Sequence, residues 1–279
     1  MKIAEKILRT TDGFSLFYRE AKPKQPKATM ILLPGMSLHS GYYLELLSSI
    51  ADEGISVIAP DQRGRGRSVN DEWKKGDVHS MQRLIDDVGE LRKSRENEWN
   101  GLPLFIGGIS FGAVIAVLYA SQNNGLHGIV IAGPPYGKHP SAITEAIDGL
   151  VAAITPAVWV GRVPKVDDFY VSTNTKMKAR VLKDPLFNGN ALRATAALEI
   201  IRTIKNLDSA ISKMSSPLLL FYGNKDKFVT ERQISVLKER WGHKDCTVHL
   251  IDGVGHDVFN EEGKEEVFKV LSKWMERRI

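Results

Sequence analysis

LFIGGISFGAVIAVLYA, residues 104–120, is two patterns joined at a serine. Leu104 to Gly107 is a short apolar run of the kind that forms a strand buried on both faces. Gly112 to Gln122 is long and apolar enough for a buried helix. Between them lies Gly108-Ile109-Ser110-Phe111-Gly112, a G-x-S-x-G pentapeptide. Alone, such a short motif is weak evidence, because it recurs by chance. Its setting strengthens it: a sharp strand-to-helix turn lifts a serine hydroxyl above a sheet. Glycines admit a turn in which side chains would collide. The helix start adds N–H donors and positive potential where negative charge develops. The plainer alternative is an ordinary turn with a serine cap.

The pattern extends outward in both directions. Upstream, Thr29 to Leu33 (TMILL) and Ser56 to Ala59 read as buried strands, and Tyr43 to Asp52 and Val78 to Arg95 as helices. Before them, Ile3 to Arg9 and Phe14 to Glu20 flank Thr11-Asp12-Gly13, a hairpin signal. Downstream, Gly128 to Ala132 is a strand. From Pro134 to about Met214 no strand-like run occurs. Ile143, Ala146, Ile147, Leu150, Val151 and Ile154 recur at helical spacing, and Leu192, Thr195, Ala196, Glu199 and Ile200 form a second stripe. A structureless loop of this length is improbable in a compact domain, which predicts a helical insertion. The rhythm resumes with strand Leu218 to Tyr222, helix Thr230 to Trp241, strand Thr247 to Ile251 and helix Glu262 to Glu276. The expectation is an α/β fold: a mostly parallel sheet, an N-terminal antiparallel hairpin, and helices on both faces. Its core comprises residues 1–133 and 215–279, with a helical cap at 134–214 inserted after the sixth strand.

Composition narrows the function classes. The chain has 279 residues, 43% of them apolar and 25% charged, which suits a large buried core. A single cysteine, Cys246, excludes an intramolecular disulfide framework and a Cys-rich zinc site. The formal charge of +5 permits weak attraction to anionic membranes but does not argue for nucleic acid. Arg63-Gly64-Arg65-Gly66-Arg67 follows a strand directly, so it reads as a turn within the fold rather than an RNA-binding tail. MKIAEKILRT has no continuous apolar segment of the kind that marks a secretory signal. A cytoplasmic location is expected, with peripheral membrane contact through the cap as an open option.

A serine hydroxyl is a poor nucleophile without a base. On a sheet of this kind the chain order is serine, acid, histidine. His256 lies in the glycine-flexed loop Asp252-Gly253-Val254-Gly255-His256, just beyond a strand. His249 sits inside that strand, where a structural role is expected, and His243 lies in a polar turn. Asp226 follows the strand LLLFY, where a carboxylate can accept the imidazole N–H and fix its tautomer. Ser110, Asp226 and His256 all fall at carboxyl ends of strands, where open α/β sheets place their sites. Oxyanion donors are expected at the amide of Phe111 and in the loop Leu33-Pro34-Gly35-Met36. Pro34 has no N–H, which favours Met36 there.

These residues also carry a resemblance. PGMSLHSGYY (34–43), DQRGRGRS (61–68), GGISFG (107–112), FYGNKD (221–226) and GVGHDVFNEE (253–262) resemble α/β-hydrolases of the monoacylglycerol lipase and lysophospholipase group. Asp184-Pro185-Leu186 shares the likeness. Pro34, Leu38 and Tyr42 depart from the group's usual residues, at the rim of the oxyanion loop. The resemblance implies a Ser110–Asp226–His256 triad, oxyanion donors at Met36 and Phe111, and a helical cap over an acyl tunnel. Gly35, His39, Leu150, Val151, Trp159, Ile201 and Val229 are the expected substrate contacts. It implies a serine hydrolase of single-chain lipid esters such as monoacylglycerols, needing no metal or organic cofactor. A short- or medium-chain carboxylesterase, a lysophospholipase, and a non-catalytic receptor that keeps the triad are the alternatives.

Overall fold

The computed structural model describes residues 2–137, 159–160, 172–187 and 192–279, with backbone alone at 159–160, 192–194 and 205–206. The stripe from Ile143 to Ile154 lies outside the described residues. Five strands carry side chains buried along their whole length, and this apolar continuity places them inside the sheet. They are β3 (Ala28–Leu33), β4 (Ile55–Pro60), β5 (Leu104–Ile109), β6 (Gly128–Ala132) and β9 (Leu218–Gly223). The edge strands β1 (Ile3–Arg9) and β10 (Cys246–Ile251) are only partly covered. With β2 (Ser15–Ala21) they form an eight-stranded sheet in the order β1-β2-β4-β3-β5-β6-β9-β10. β1 and β2 pair antiparallel across the expected hairpin, β2 meets β4 antiparallel, and all other neighbours are parallel.

Alternation along each strand feeds two cores. Ile31, Leu33, Ile58, Ile106, Ile129, Ile131, Leu218 and Leu220 face one side. There they meet helices α2 (Met81–Lys93) and α4 (Phe111–Gln122). Met30, Leu32, Val57, Phe105, Val130, Leu219 and Phe221 face the other side, against α1 (Leu44–Asp52). α3 (Glu96–Trp99) is a single turn between α2 and β5. α4 is apolar around its circumference, as a helix enclosed by sheet and neighbouring helices must be.

Several boundaries shift by local chemistry. Ser40–Tyr43 is a 3-10 turn, so Tyr43 ends that turn instead of starting α1. Ser80 caps α2 by accepting from the Arg83 amide, which starts the helix later than Val78. β5 runs on to Ile109, and α4 begins at Phe111, leaving Ser110 alone between them. The expectation of no strand in 134–214 is corrected: β7 (Trp159–Val160) and β8 (Leu192–Arg193) form a two-stranded antiparallel pair. Leu192 thereby belongs to a strand and not to a helical stripe. Two residues per strand are too few to show the period-2 signal on which such a reading depends. α5 (Thr175–Lys183) and α6 (Ala194–Ser212) bear out helical structure in this region. α6 packs on α2 and α4 and on α7 (Glu231–Arg240), so it makes the crossover from β6 to β9. α8 (Lys264–Glu276) closes the opposite face through Val267, Leu271, Trp274 and Met275.

The arginine-glycine turn is folded into the body. Arg63 is 1% exposed and makes a bidentate pair with Asp87 on α2, from Nε at 2.7 Å and Nη2 at 2.9 Å. Nη1 lies 2.8 Å from Asp12 in the hairpin turn, and the guanidinium stacks 4.2 Å from the Phe14 ring centre. One side chain therefore joins the hairpin, the turn after β4 and α2. Removing one partner of a buried pair strands the other charge, which costs about 3–5 kcal/mol. Arg63→Met is expected to lower the urea midpoint by that order of stability. Adding Asp87→Leu is expected to recover much of the loss in the same titration.

Candidate active site

The turn between β5 and α4 holds Ser110 at φ 53° and ψ −114°, the one non-glycine residue with positive φ among those described. Such a conformation is sparsely populated for an L-residue and persists only where its surroundings enforce it. Both motif glycines are enforced by contact. A Cβ on Gly108 would lie 2.2 Å from the Gly112 carbonyl oxygen, and one on Gly112 would lie 2.1 Å from that of Leu33. The Ser110 amide donates to the Ala132 carbonyl at 2.8 Å, tying the turn to the end of β6.

Asp226 and His256 come together at the next strand ends. His256 Nδ1 lies 2.7 Å from Asp226 Oδ2. The other carboxylate oxygen accepts the amides of Phe228 at 2.7 Å and Val229 at 3.1 Å. With Nδ1 facing this acceptor, the neutral imidazole carries its proton there and keeps its lone pair on Nε2. The pair is positioned by two loops zipped edge to edge. The Lys225 amide donates to the Val254 carbonyl, and the Gly253 amide to Asn224 Oδ1. The imidazole packs edge-on against Phe228, with ring centres 5.1 Å apart. Gly133 lies directly under it, since a Cβ there would come within 2.9 Å of His256 Cε1. Ala132 therefore anchors the serine turn, and its neighbour Gly133 abuts the histidine.

The loop after β3 approaches the same point. A Cβ on Gly35 would lie 3.8 Å from the Ser110 Cβ. Met36 is partly buried on the core, and Phe111, which opens α4, is fully buried. The first amides of a helix have no acceptor within it, so the Phe111 N–H is available to a substrate oxygen.

The expected substrate contacts divide. Gly35 is beside Ser110, Val229 is buried next to the Asp226 loop, and Ile201 is half-buried on α6. Leu150 and Val151 lie outside the described residues, and Trp159 is described only as backbone in β7. His39 is buried and uses both ring nitrogens within the protein. Nδ1 accepts the Gly41 amide at 3.1 Å, so Nε2 carries the proton and donates to Asp184 at 2.9 Å. His249 in β10 packs against Phe221 of the neighbouring β9. Among the described residues no cluster of three or more His, Cys, Asp or Glu could hold a metal. Nor is any described helix long and apolar enough to cross a membrane.

Three comparisons bear on this arrangement. Residues 24–263 match the family described as serine aminopeptidase S33, Hydrolase_4. The chain belongs to this family. It is 27% identical to human monoglyceride lipase over 278 residues, spanning 97% of this chain and 90% of that one. In fold it is similar to a soluble variant of Saccharomyces cerevisiae monoglyceride lipase solved with a substrate analogue. That likeness has a TM-score of 0.84 and 19% identity, and covers 100% of this chain and 95% of the other. It is similar too to a thermostable carboxyl esterase from Bacillus coagulans solved with glycerol, at TM-score 0.87 and 19% identity, covering 99% and 98%. At these identities the solved structures show the α/β-hydrolase fold alone.

Residues without a sequence-level role surround this centre. Glu261, buried five residues beyond His256, accepts the Thr173 amide at 3.0 Å, and Asn174 donates to the Asn260 carbonyl at 2.9 Å. Arg180 on α5 donates to the Gly41 carbonyl at 2.7 Å. The segment 172–187 is thus fastened to both the His256 loop and the His39 loop. Only the Asp184-Pro185-Leu186 likeness hinted at this. Burial pushes the Asp184 carboxyl up, but donors from His39 and the Leu186 amide outweigh it and hold it below its ordinary value of 3.8. A depressed carboxyl stabilises the folded state fully above its ordinary value, and that contribution is lost as pH falls through the lower folded value. Asp184→Asn at neutral pH is expected to speed amide hydrogen exchange in 39–43 and 175–187 about 10- to 150-fold, the size of one charge-assisted hydrogen bond. The parent protein should show the same local opening only in acid, below about pH 4.

Proposed function

We propose that this hydrolase cleaves carboxylic esters of single-chain lipids, such as monoacylglycerols, through a Ser110–His256–Asp226 acyl-enzyme cycle. The supporting observation is the strained Ser110 turn packed through Ala132 and Gly133 against a His256–Asp226 pair at 2.7 Å. His256 Nε2 takes the proton from the Ser110 hydroxyl as Oγ attacks the ester carbonyl. The oxygen that gains charge is met by the amides of Met36 and Phe111. His256 then gives its proton to the departing alcohol, which breaks the C–O bond and leaves the acyl group on Ser110. Water then attacks the acyl carbon and loses a proton to the same nitrogen; the bond to Ser110 Oγ breaks, that oxygen takes the proton back from His256, and the fatty acid leaves. Asp226 keeps the reactive nitrogen in its basic tautomer throughout.

The lipid preference is supported by the likeness to human monoglyceride lipase along nearly the whole chain. In this reading the insertion between β6 and β9 forms the cap over the acyl chain, and its contact with a membrane surface is part of the same proposal. Residues 172–187, one described part of the insertion, border the site through His39 and Glu261.

A panel of p-nitrophenyl and glycerol monoesters from acetyl to oleoyl, with a lysophospholipid and an aminoacyl anilide, tests the reading. Medium- and long-chain monoacylglycerols are expected to turn over fastest, with Ser110→Ala inactive. Faster turnover of acetate would point to a short-chain esterase, and anilide hydrolysis to a peptidase. Asp226→Asn is expected to cut kcat about 10⁴-fold with folding intact, because the amide can donate to Nδ1 and so hold the wrong tautomer.

A further inference from the structure

Arg65 is fully buried, yet among the described residues it donates only to backbone carbonyls. Nε donates to Met36 at 2.9 Å, and Nη1 to Arg63 at 3.0 Å and to Asp77. Nη2 has no acceptor among the described residues. Burial lowers its pKa to about 10, with Asp77 partly opposing, so the side chain stays cationic at neutral pH. Holding a cation inside a protein on neutral oxygens is costly. Apolar packing could fill the same space without that cost. The placement of the three carbonyls suggests what the charge is for.

The peptide between Gly35 and Met36 carries the loop N–H assigned to the oxyanion. Its own carbonyl, that of Gly35, accepts the Leu38 amide at 3.1 Å. In a trans peptide the N–H points opposite to the C=O, so the Met36 N–H is directed away from Leu38. Among the described residues it donates to no acceptor. The peptides on either side are pinned as well. Gln62 Nε2 donates to the Pro34 carbonyl at 3.1 Å, and Arg65 holds the Met36 carbonyl. A glycine at 35 leaves this loop free to flip its peptide plane, and the pins remove that freedom. The Arg65 guanidinium also lies 5.6 Å from the ring centre of Phe111, whose amide is the second donor. The turn that delivers both residues depends on its glycines. Gly64 and Gly66 have φ of 74° and 51°, and a Cβ on Gly66 would lie 2.2 Å from Asp61 Oδ2.

We propose that Arg65, aided by Gln62, is a positioning residue of the reaction: it locks the Gly35–Met36 peptide so that the Met36 N–H is aimed at the oxyanion before substrate arrives. This inference rests on the acyl-transfer reading above. A purely structural role would lower stability and the number of active molecules. A positioning role lowers the rate of each active molecule, because the affected contact strengthens only in the transition state.

The test compares Arg65→Met, Arg65→Lys and Gln62→Leu with the parent protein and Ser110→Ala. Active sites are counted by complete fluorophosphonate labelling, and kcat is expressed per labelled site on p-nitrophenyl butyrate. Arg65→Met and Gln62→Leu are expected to lose about 10- to 100-fold in kcat with KM within about threefold. Affinity for a trifluoromethyl ketone, whose adduct carries an oxyanion, should fall by the same factor. Arg65→Lys should recover part of both, since an ammonium can still reach the Met36 carbonyl. If Arg65→Met does not fold, Gln62→Leu and Arg65→Lys decide the question. Per-site kcat and ketone affinity within about twofold of the parent in the folded variants would overturn the inference while leaving the acyl-transfer reading intact. A parent protein whose Ser110 is neither labelled nor required for turnover overturns both.

Discussion

A backbone torsion that the chain disfavours sits at the centre of this molecule. Ser110 at φ 53° costs on the order of 1–3 kcal/mol, and that cost is met by packing on every side. β5 and α4 fix the two ends of the turn, and the Ala132 carbonyl holds its amide. Gly108 and Gly112 allow strand, helix and the β3 loop to approach at distances that any side chain would block. The same close approach brings Gly35 beside the serine. The parallel sheet then places the remaining groups, because β6, β9 and β10 end at neighbouring positions on the same edge.

Polar groups beneath this edge are arranged by the same logic. Asp226 has one oxygen occupied by two amides, which leaves the other for a single histidine nitrogen. Asp61, fully buried, accepts the Ser40 amide at 2.8 Å and the Arg67 amide at 2.9 Å, which stitches the 3-10 turn to the arginine-glycine turn. These carboxylates act as fixed acceptors inside the loops. Their geometry is set by short-range donors, and it in turn sets the loops.

What was readable from the sequence follows the range of the physics involved. The serine turn was legible because strand, glycines and helix lie within 17 consecutive residues. The sheet was legible because burial on both faces demands unbroken apolar runs, as in ATMILL and LLLFYG. Asp226 and His256 were legible as loop residues at strand ends, although the contact between them is a property of the fold. Gln62 and Arg65 were read only as part of a turn. Their partners are backbone carbonyls, which carry no residue-specific signature. The contact between His39 and Asp184 has no sequence signature, because the two lie 145 residues apart and Asp184 falls in a segment with weak patterning. The β7–β8 pair was missed because two residues make no period.

The crossover helix α6 belongs to the layer that covers the sheet, with Ala196, Leu207 and Ile211 in the core shared with α4. The sheet therefore does not wait on the stretch between Gly133 and Leu192 for its closure: β6 and β9 pair directly, Ile129 with Leu218 through Ala132 with Phe221. An architecture with that separation can trade one such stretch for another while the sheet and the Ser110 turn stay as they are. Variation in the inserted stretch and constancy of the sheet edge are thus assigned to different parts of one polypeptide.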